Sequence, residues 1–313
     1  MKFVVTGAAG FIGSHLCERL LAEGNVVIGV DSFSDYYSPI IKEKNIKSIL
    51  GNKNFLFLRG KMEEMEIEKI LKGCDGVFHL AAQPGVRKSW GLDFEVYVRT
   101  NVLLTQKILE VLKNIPVKKF IYASSSSVYG NAGIPFRENS ELKPVSPYGV
   151  TKLAGENLCF LYFENFKIPV ISLRYFTVYG PRQRPDMGFH KFFLSILDGR
   201  EIEVYGDGNQ SRDFTYIDDV INGTISSYYY GVAGEVYNIG GGTNIRLNSI
   251  FPLFENITGR KIRIKYLKEV SGDVRHTQAD YLKAQRDLKF KPNGKLEDGL
   301  EKQWKWMLEV YGD

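Results

Sequence analysis

"VVTGAAGFIGSH", residues 4–15, runs from an apolar, strand-like stretch through three glycines into a helical pattern. Gly7, Gly10 and Gly13 stand in a G-x-x-G-x-x-G spacing. The first lets the chain turn tightly, the second lets backbone approach a pyrophosphate, and the third lets helix and strand pack closely. The helix N-terminus then offers free N–H groups and a positive dipole end to phosphates. Glycine turns are common, so the spacing alone decides little. Its neighbour decides more. "NVVIGVDSF" reads as a second strand ending at Asp31, 18 residues beyond Gly13. A carboxylate there can accept hydrogen bonds from both hydroxyls of an adenosine ribose and repels a 2′-phosphate, which favours NAD over NADP.

The alternation continues down the first half. "KFVVT", "NVVIGV", "NFLFL", "GVFHLAA", "KKFIYASS" and "PVISLRY" are nearly all apolar, as buried parallel strands are. Between them "FIGSHLCERLLAEG", "EEMEIEKILKG" and "DFEVYVRTNVLLTQKILEVLKN" have helical spacing. Strand and helix in turn predict an α/β fold, a Rossmann-type doubly wound parallel sheet with helices on both faces. Beyond about residue 175 glycine and proline cluster, and short strands such as "EIEVYG", "EVYNIG" and "RKIRIKYL" separate the helices. This predicts a smaller C-terminal substrate-binding lobe over the carboxyl edge of the sheet. The expected division is a nucleotide domain of residues 1–174 with a returning segment at about 213–242, and a lobe of residues 175–212 and 243–313.

The bulk composition excludes several classes. With 313 residues, 44% hydrophobic and 25% charged, the chain can bury a large core. The net charge of +5 is spread without a basic block, so a nucleic-acid partner is not expected. Cys17, Cys74 and Cys159 are an odd, scattered set, and His15, His79, His190 and His276 do not cluster. Neither a disulfide framework nor a metal site is expected. The opening "MKFVVTGAAGFIGSH" does not read as a signal peptide, and no stretch approaches membrane-spanning length. A cytoplasmic location is the expectation.

"SPYGVTK" places Tyr148 and Lys152 four residues apart near the start of a helical stretch, hence on one face. A phenol of ordinary pKa near 10 is a poor base at neutral pH; a nearby ammonium and the positive nicotinamide ring favour its phenolate. That suits removal of an alcohol proton as hydride leaves the carbon. Among 18 tyrosines, this is the one Tyr-x-x-x-Lys. Upstream, "FIYASSSSVYG" ends a strand in Ser124, Ser125, Ser126 and Ser127, whose hydroxyls either bond a substrate oxygen or mark a polar strand-to-loop transition.

Taken in order, the glycine motif, Asp31, "HLAA", "SSSSVYG", Tyr148-x-x-x-Lys152 and "RYFTVYGP" resemble the extended short-chain dehydrogenase/reductase family over essentially the whole chain. Within it the chain is most similar to nucleotide-sugar 4-epimerases. The resemblance implies a tightly held NAD contacted by Gly7, Gly10, Phe11, Ile12, Gly13, Asp31, Lys61, Met62, Leu80, Ala81, Ala82, Asn101, Tyr148, Lys152 and Tyr175. It implies a catalytic set of Tyr148 as base, Lys152 as its electrostatic partner and Ser125 on the sugar O4. Arg212 and Arg275 resemble diphosphate ligands, Tyr205 the aromatic near uracil, and Arg87 and Phe189 further substrate contacts. Lys61 departs from the pattern, because family members often carry an aspartate there that accepts from adenine.

The resemblance also separates the reactions. The 4,6-dehydratases carry an Asp-Glu pair beside the catalytic Thr or Ser, and glucuronate decarboxylases a glutamate two residues beyond it; here Ser126 and Ser127 stand instead. Pockets for UDP-glucose and UDP-galactose usually have asparagine at Thr177. "ASSSSVYG", "FTVYGP" and "RPDM" resemble the UDP-glucuronate 4-epimerases. Oxidation of glucuronate at C4 makes a β-keto acid, so the carboxylate must be gripped. Arg184, between Pro181-side and Pro185 constraints, is expected to take it with Thr177, aided by Ser125, Ser126 and Ser127. Arg182 is read as a diphosphate contact or an ion pair between lobes. The expected function is NAD-dependent 4-epimerisation of a UDP-sugar, UDP-glucuronate to UDP-galacturonate; the alternatives are a UDP-glucose/UDP-galactose 4-epimerase and, behind it, a UDP-glucuronate decarboxylase or a non-catalytic NAD-sensing protein. The resemblance further implies a homodimer, with helices around 93–113 and 148–166 forming a four-helix bundle.

Overall fold

The computed structural model describes residues 1–270 and 272–312. The six apolar segments of the first half are strands β1 (Lys2–Thr6), β2 (Val26–Asp31), β3 (Phe55–Arg59), β4 (Gly76–His79), β5 (Lys119–Ser125) and β6 (Val170–Tyr175). Seven short strands follow: β7 (Thr177–Tyr179), β8 (Ile202–Tyr205), β9 (Ser211–Arg212), β10 (Phe214–Tyr216), β11 (Val236–Ile239), β12 (Ile245–Arg246) and β13 (Ile264–Leu267). One seven-stranded sheet has the order β3-β2-β1-β4-β5-β6-β11, and every pairing in it is parallel. Order reverses between β1 and β4, the switch point where ligands bind in open α/β sheets. The remaining strands form three two-stranded sheets, β7 with β10, β8 with β13 and β9 with β12.

The helices that matter for the site are α1 (Phe11–Ala22), α2 (Pro39–Ile46), α3 (Ile67–Leu71), α4 (Phe94–Tyr97), α5 (Leu104–Leu112), α6 (Pro147–Phe166), α7 (Gly188–Leu197) and α8 (Ile217–Tyr230). Successive strand residues feed opposite faces. Phe78 packs in a core with Leu16, Leu20 and Ile221 from α1 and α8. Its neighbour Val77 packs in a second core with Ile70, Ile108 and Cys159 from α3, α5 and α6. Both faces of the sheet are therefore covered, which is why its strands read as unbroken apolar runs.

Three local expectations are corrected. "NFLFL" is an edge strand, with Leu56 exposed, because among the described residues nothing pairs beyond it. "EEMEIEKILKG" breaks into a 3-10 turn at Met62–Glu64 and the short α3. The long helix expected around 93–113 is interrupted by a π segment at Val98–Leu103, between α4 and α5.

Candidate active site

The glycine turn is built by sterics. Gly7 has a φ of +71°, and a Cβ there would lie 2.9 Å from Ala81 N at the end of β4. A Cβ on Gly13 would lie 2.0 Å from the Gly7 carbonyl oxygen. Only glycine lets α1 begin this close to β1. Asp31 caps β2 and is buried, with Oδ2 accepting from Ala9 N (3.1 Å) and Oδ1 from Phe33 N (2.8 Å). Each oxygen keeps a second lone pair for a ligand hydroxyl. Lys42 of α2, also buried, has its Nζ 3.6 Å from Asp31 Oδ1.

A cavity of about 420 Å³ opens at the switch point. Its wall brings together Gly7, Gly10, Phe11, Ile12, Gly13, Asp31, Lys61, Met62, Leu80, Ala81, Ala82 and Tyr175. Ser125, Ser126, Ser127, Tyr148, Lys152, Thr177 and Arg184 line the same cavity. Positions spread along the chain from Gly7 to Arg184 thus converge on one space.

Helix α6 presents the Tyr-Lys pair. Ser146 caps it by accepting from Gly149 N at 3.1 Å, and Pro147 starts its first turn. A Cβ on Gly149 would lie 2.7 Å from the Ser127 carbonyl oxygen, so glycine lets the helix press against the serine loop. Lys152 is buried, with Nζ 4.5 Å from the Tyr122 ring centre. Burial lowers its pKa to about 7, while Cys159 and Glu156 pull the other way. Burial pushes the Tyr148 phenol up, and the Arg184 guanidinium and Ser125 hydroxyl oppose that rise. The Ser125 hydroxyl accepts from Ser127 N and donates to Ser127 Oγ, both at 3.1 Å, so it is oriented by its own turn.

The two arginines of the proline loop part ways. Arg182 pairs with Glu18 of α1 at 2.8 Å and touches Ser14, which is the ion-pair reading. Arg184 faces the cavity but is already engaged: Nε and Nη2 bind the two oxygens of Asp186 at 2.9 and 3.0 Å.

Six expected site residues are not among the described residues that line the cavity. Asn101 lies in the π segment and is buried beneath it, accepting from Gln83 N (2.7 Å) and donating to Gln83 O and Thr151 Oγ1. It ties α6 to the loop after β4 instead of forming the wall. Phe189 is buried against Phe214, with ring centres 4.5 Å apart, because α7 turns its apolar face inward. Arg87, Tyr205, Arg212 and Arg275 gather in a separate cluster. The Arg87 guanidinium stacks 4.1 Å over the Tyr205 ring and pairs with Asp273 at 2.7 Å. Arg212 donates to the Arg275 carbonyl, and Arg275 pairs with Asp207 and Glu269. Val86 lines the cavity and Arg87 follows it in the chain, so this cluster of arginines and their carboxylate partners begins at the cavity's edge.

Sequence reasoning missed Tyr36, Tyr37, Lys42, Gln83 and Arg99, all on the wall. Lys42 had no local signal; only the fold brings it to Asp31. Tyr36 donates to Asp186 at 3.2 Å across 150 residues of chain, a contact no spacing reveals.

Residues 3–240 match the model of the NAD dependent epimerase/dehydratase family. The chain belongs to that family. This epimerase/dehydratase chain is 44% identical over 99% of both chains to the "Uncharacterized UDP-glucose epimerase YtcB" of Bacillus subtilis. It is 38% identical to a UDP-glucuronate 4-epimerase of Thermodesulfobacterium geofontis, covering 98% of this chain and 96% of that one. A solved UDP-glucuronic acid 4-epimerase from Bacillus cereus, in complex with UDP-glucuronic acid and NAD, superposes with a TM-score of 0.97. Identity there is 46%, over 99% of this chain and all of that one. As a member of the epimerase/dehydratase family, the protein sets a phenol, a lysine amine and a hydroxyl on the wall that also holds the glycine turn and Asp31, an arrangement suited to moving a proton and a hydride together.

Proposed function

We propose that the protein is an NAD-dependent UDP-sugar 4-epimerase that interconverts UDP-glucuronate and UDP-galacturonate. The observation that carries this reading is the shared wall: the glycine cradle, Tyr148 with Lys152, and Thr177 with Arg184 face one cavity. The residues fit NAD, since the Gly7 and Gly13 positions leave no room for a Cβ and Asp31 retains acceptor capacity. When bound, NAD supplies a hydride acceptor that returns the same hydride, so no net redox change occurs. The chain does the rest. Tyr148 takes the O4 proton, Lys152 stabilises its phenolate, and Ser125 holds O4. The 4-keto sugar turns its other face, and Tyr148 returns the proton. Arg184 and Thr177 hold the C5 carboxylate, and the arginine cluster from Arg87 to Arg275 takes the diphosphate.

A second reading, a neutral UDP-glucose/UDP-galactose pair, is favoured by the Arg184–Asp186 ion pair, which offsets the cation before any substrate arrives. A product assay separates the two. The protein is incubated with UDP-glucuronate or UDP-glucose without reductant, and sugar H4 signals are followed by proton NMR. The expected product is UDP-galacturonate with little pentose, absent from Tyr148→Phe. UDP-galactose forming while UDP-glucuronate stays inert would mean a neutral pocket.

Three further assignments accompany this reading. The division into a nucleotide domain and a C-terminal substrate lobe follows the sheet return at β11. A homodimer through α5 and α6 is supported by apolar side chains left outward on α6, Phe160 and Leu161 among them. A cytoplasmic location is supported by three free, buried cysteines; among the described residues no helix is long and apolar enough to cross a membrane.

A further inference from the structure

Arg184 sits in a loop pinned from several sides. Gln183 is buried beneath it, donating to Val178 O (3.0 Å) and accepting from His190 N and Gln303 Nε2 (both 2.9 Å). Gln303 in turn accepts from Gly180 N at 3.0 Å. Arg182 is fixed to Glu18. The backbone of Arg184 accepts from Met187 N at 3.0 Å. Its guanidinium is then held side-on by Asp186 through two parallel hydrogen bonds, and Asp186 is held by the Tyr36 hydroxyl. A fork-to-fork pair fixes the plane of the guanidinium as well as its position. Of five N–H donors, two are consumed. Among the described residues Nη1 has no protein partner.

We propose that Asp186, backed by Tyr36, is a positioning residue that aims Arg184 and thereby protects the substrate carboxylate from loss during turnover. The inference rests on the UDP-glucuronate reading above. The 4-keto intermediate is a β-keto acid. Its C5–C6 bond breaks when that bond aligns with the C4 carbonyl π system. The bond's electron pair then passes into an enolate across C5, C4 and O4; carbon dioxide departs, and C5 takes a proton from water. The hydride stays where oxidation put it, and a UDP-4-keto-pentose is released. A guanidinium locked in one plane holds the carboxylate at one rotation about C5–C6. A guanidinium free to swing follows the carboxylate into alignment. Charge alone therefore does not protect the intermediate; a fixed direction does, and Asp186 supplies it.

The test uses full-length protein with bound NAD and UDP-glucuronate, with products resolved by proton NMR and carbon dioxide captured. Asp186→Asn keeps the side-chain volume and loses the carboxylate. Tyr36→Phe keeps the ring and loses one hydrogen bond to Asp186. The pentose share of product should rise about tenfold in Asp186→Asn and a few-fold in Tyr36→Phe. A merely structural pair would lower total turnover and leave the product ratio unchanged, and that outcome overturns the proposal. If Asp186→Asn does not fold, Tyr36→Phe is judged by the same ratio. Wild-type protein that leaves UDP-glucuronate untouched refutes the substrate reading itself, a result distinct from an unchanged ratio in variants of an active enzyme.

Discussion

His79 shows how one residue can tie the site to the pH of its surroundings. Thr105 gives its hydroxyl proton to Asn101 O (2.8 Å), so at 3.1 Å it accepts from His79 Nε2. Nδ1 then accepts from Thr6 Oγ1 (2.8 Å), which itself accepts from Ala81 N (3.0 Å). This chain sets the tautomer, and a second ring proton would break it. Burial lowers the His79 pKa to about 3 and, with Arg182 nearby, that of His15 to about 4. Both values lie below the unfolded 6.5, so the unfolded chain takes up protons first as pH falls, and stability drops from about 6.5 downward. Each ring costs about 2 kcal/mol at pH 5. Asp213 works the other way: burial raises it to about 6, and its protonation in the fold regains about 1 kcal/mol over the same range. His190, also lowered by burial, adds to the loss, and Lys152, lowered to about 7, gives a little back, so urea titrations should give a stability lower at pH 5 than at pH 7 by roughly 2–4 kcal/mol. Equal stability at the two pH values would rule out neutral, buried rings.

At the scale of elements, the turn from β1 into α1 makes the sharpest prediction. Gly13→Ala must push a Cβ against the Gly7 carbonyl, a backbone atom that cannot step aside. The variant should lose roughly 1–3 kcal/mol of stability and weaken NAD binding about tenfold or more by calorimetry. Gly133→Ala, with open space around it, is the control and should change neither. These elements were legible because each rests on local rules. Glycine spacing fixes the turn, and a four-residue step puts Tyr148 and Lys152 on one helical face. Phe189 and Asn101 lie off the cavity wall for the opposite reason. Whether a phenylalanine on α7 meets the core or the cavity depends on Phe214, 25 residues on. Whether Asn101 reaches a ligand depends on a π turn that periodicity does not announce. Pairing of Arg184 with Asp186 could be read locally as a loop contact, but its meaning comes from Tyr36, delivered by the far side of the sheet.

On the scale of the whole molecule, α5 and α6 pack side by side, with Gln106 donating to the Tyr162 hydroxyl at 3.1 Å. The outer side of α6 is left partly apolar, while the exposed residue of α5 is Lys107. Val150 and Leu161 are 49% and 52% exposed and stand 11 residues apart, three helical turns, so they share one side of α6. Phe160 and Leu103 extend the same kind of surface at 57% and 50% exposure. A second copy packing across these helices would bury them and make four helices around a common seam. Stable association needs about 800 Å² from each partner, within reach of two helices of this length. Sedimentation at micromolar concentration should therefore give a dimer, and melting should rise with protein concentration. Leu161→Arg places a charge in the seam without touching the cavity wall, and should give monomers that still bind NAD. A wild-type monomer with a concentration-independent melting temperature would defeat the dimer. If Leu161→Arg lost NAD together with its partner, the seam would be holding α6, and with it Tyr148 and Lys152, in place.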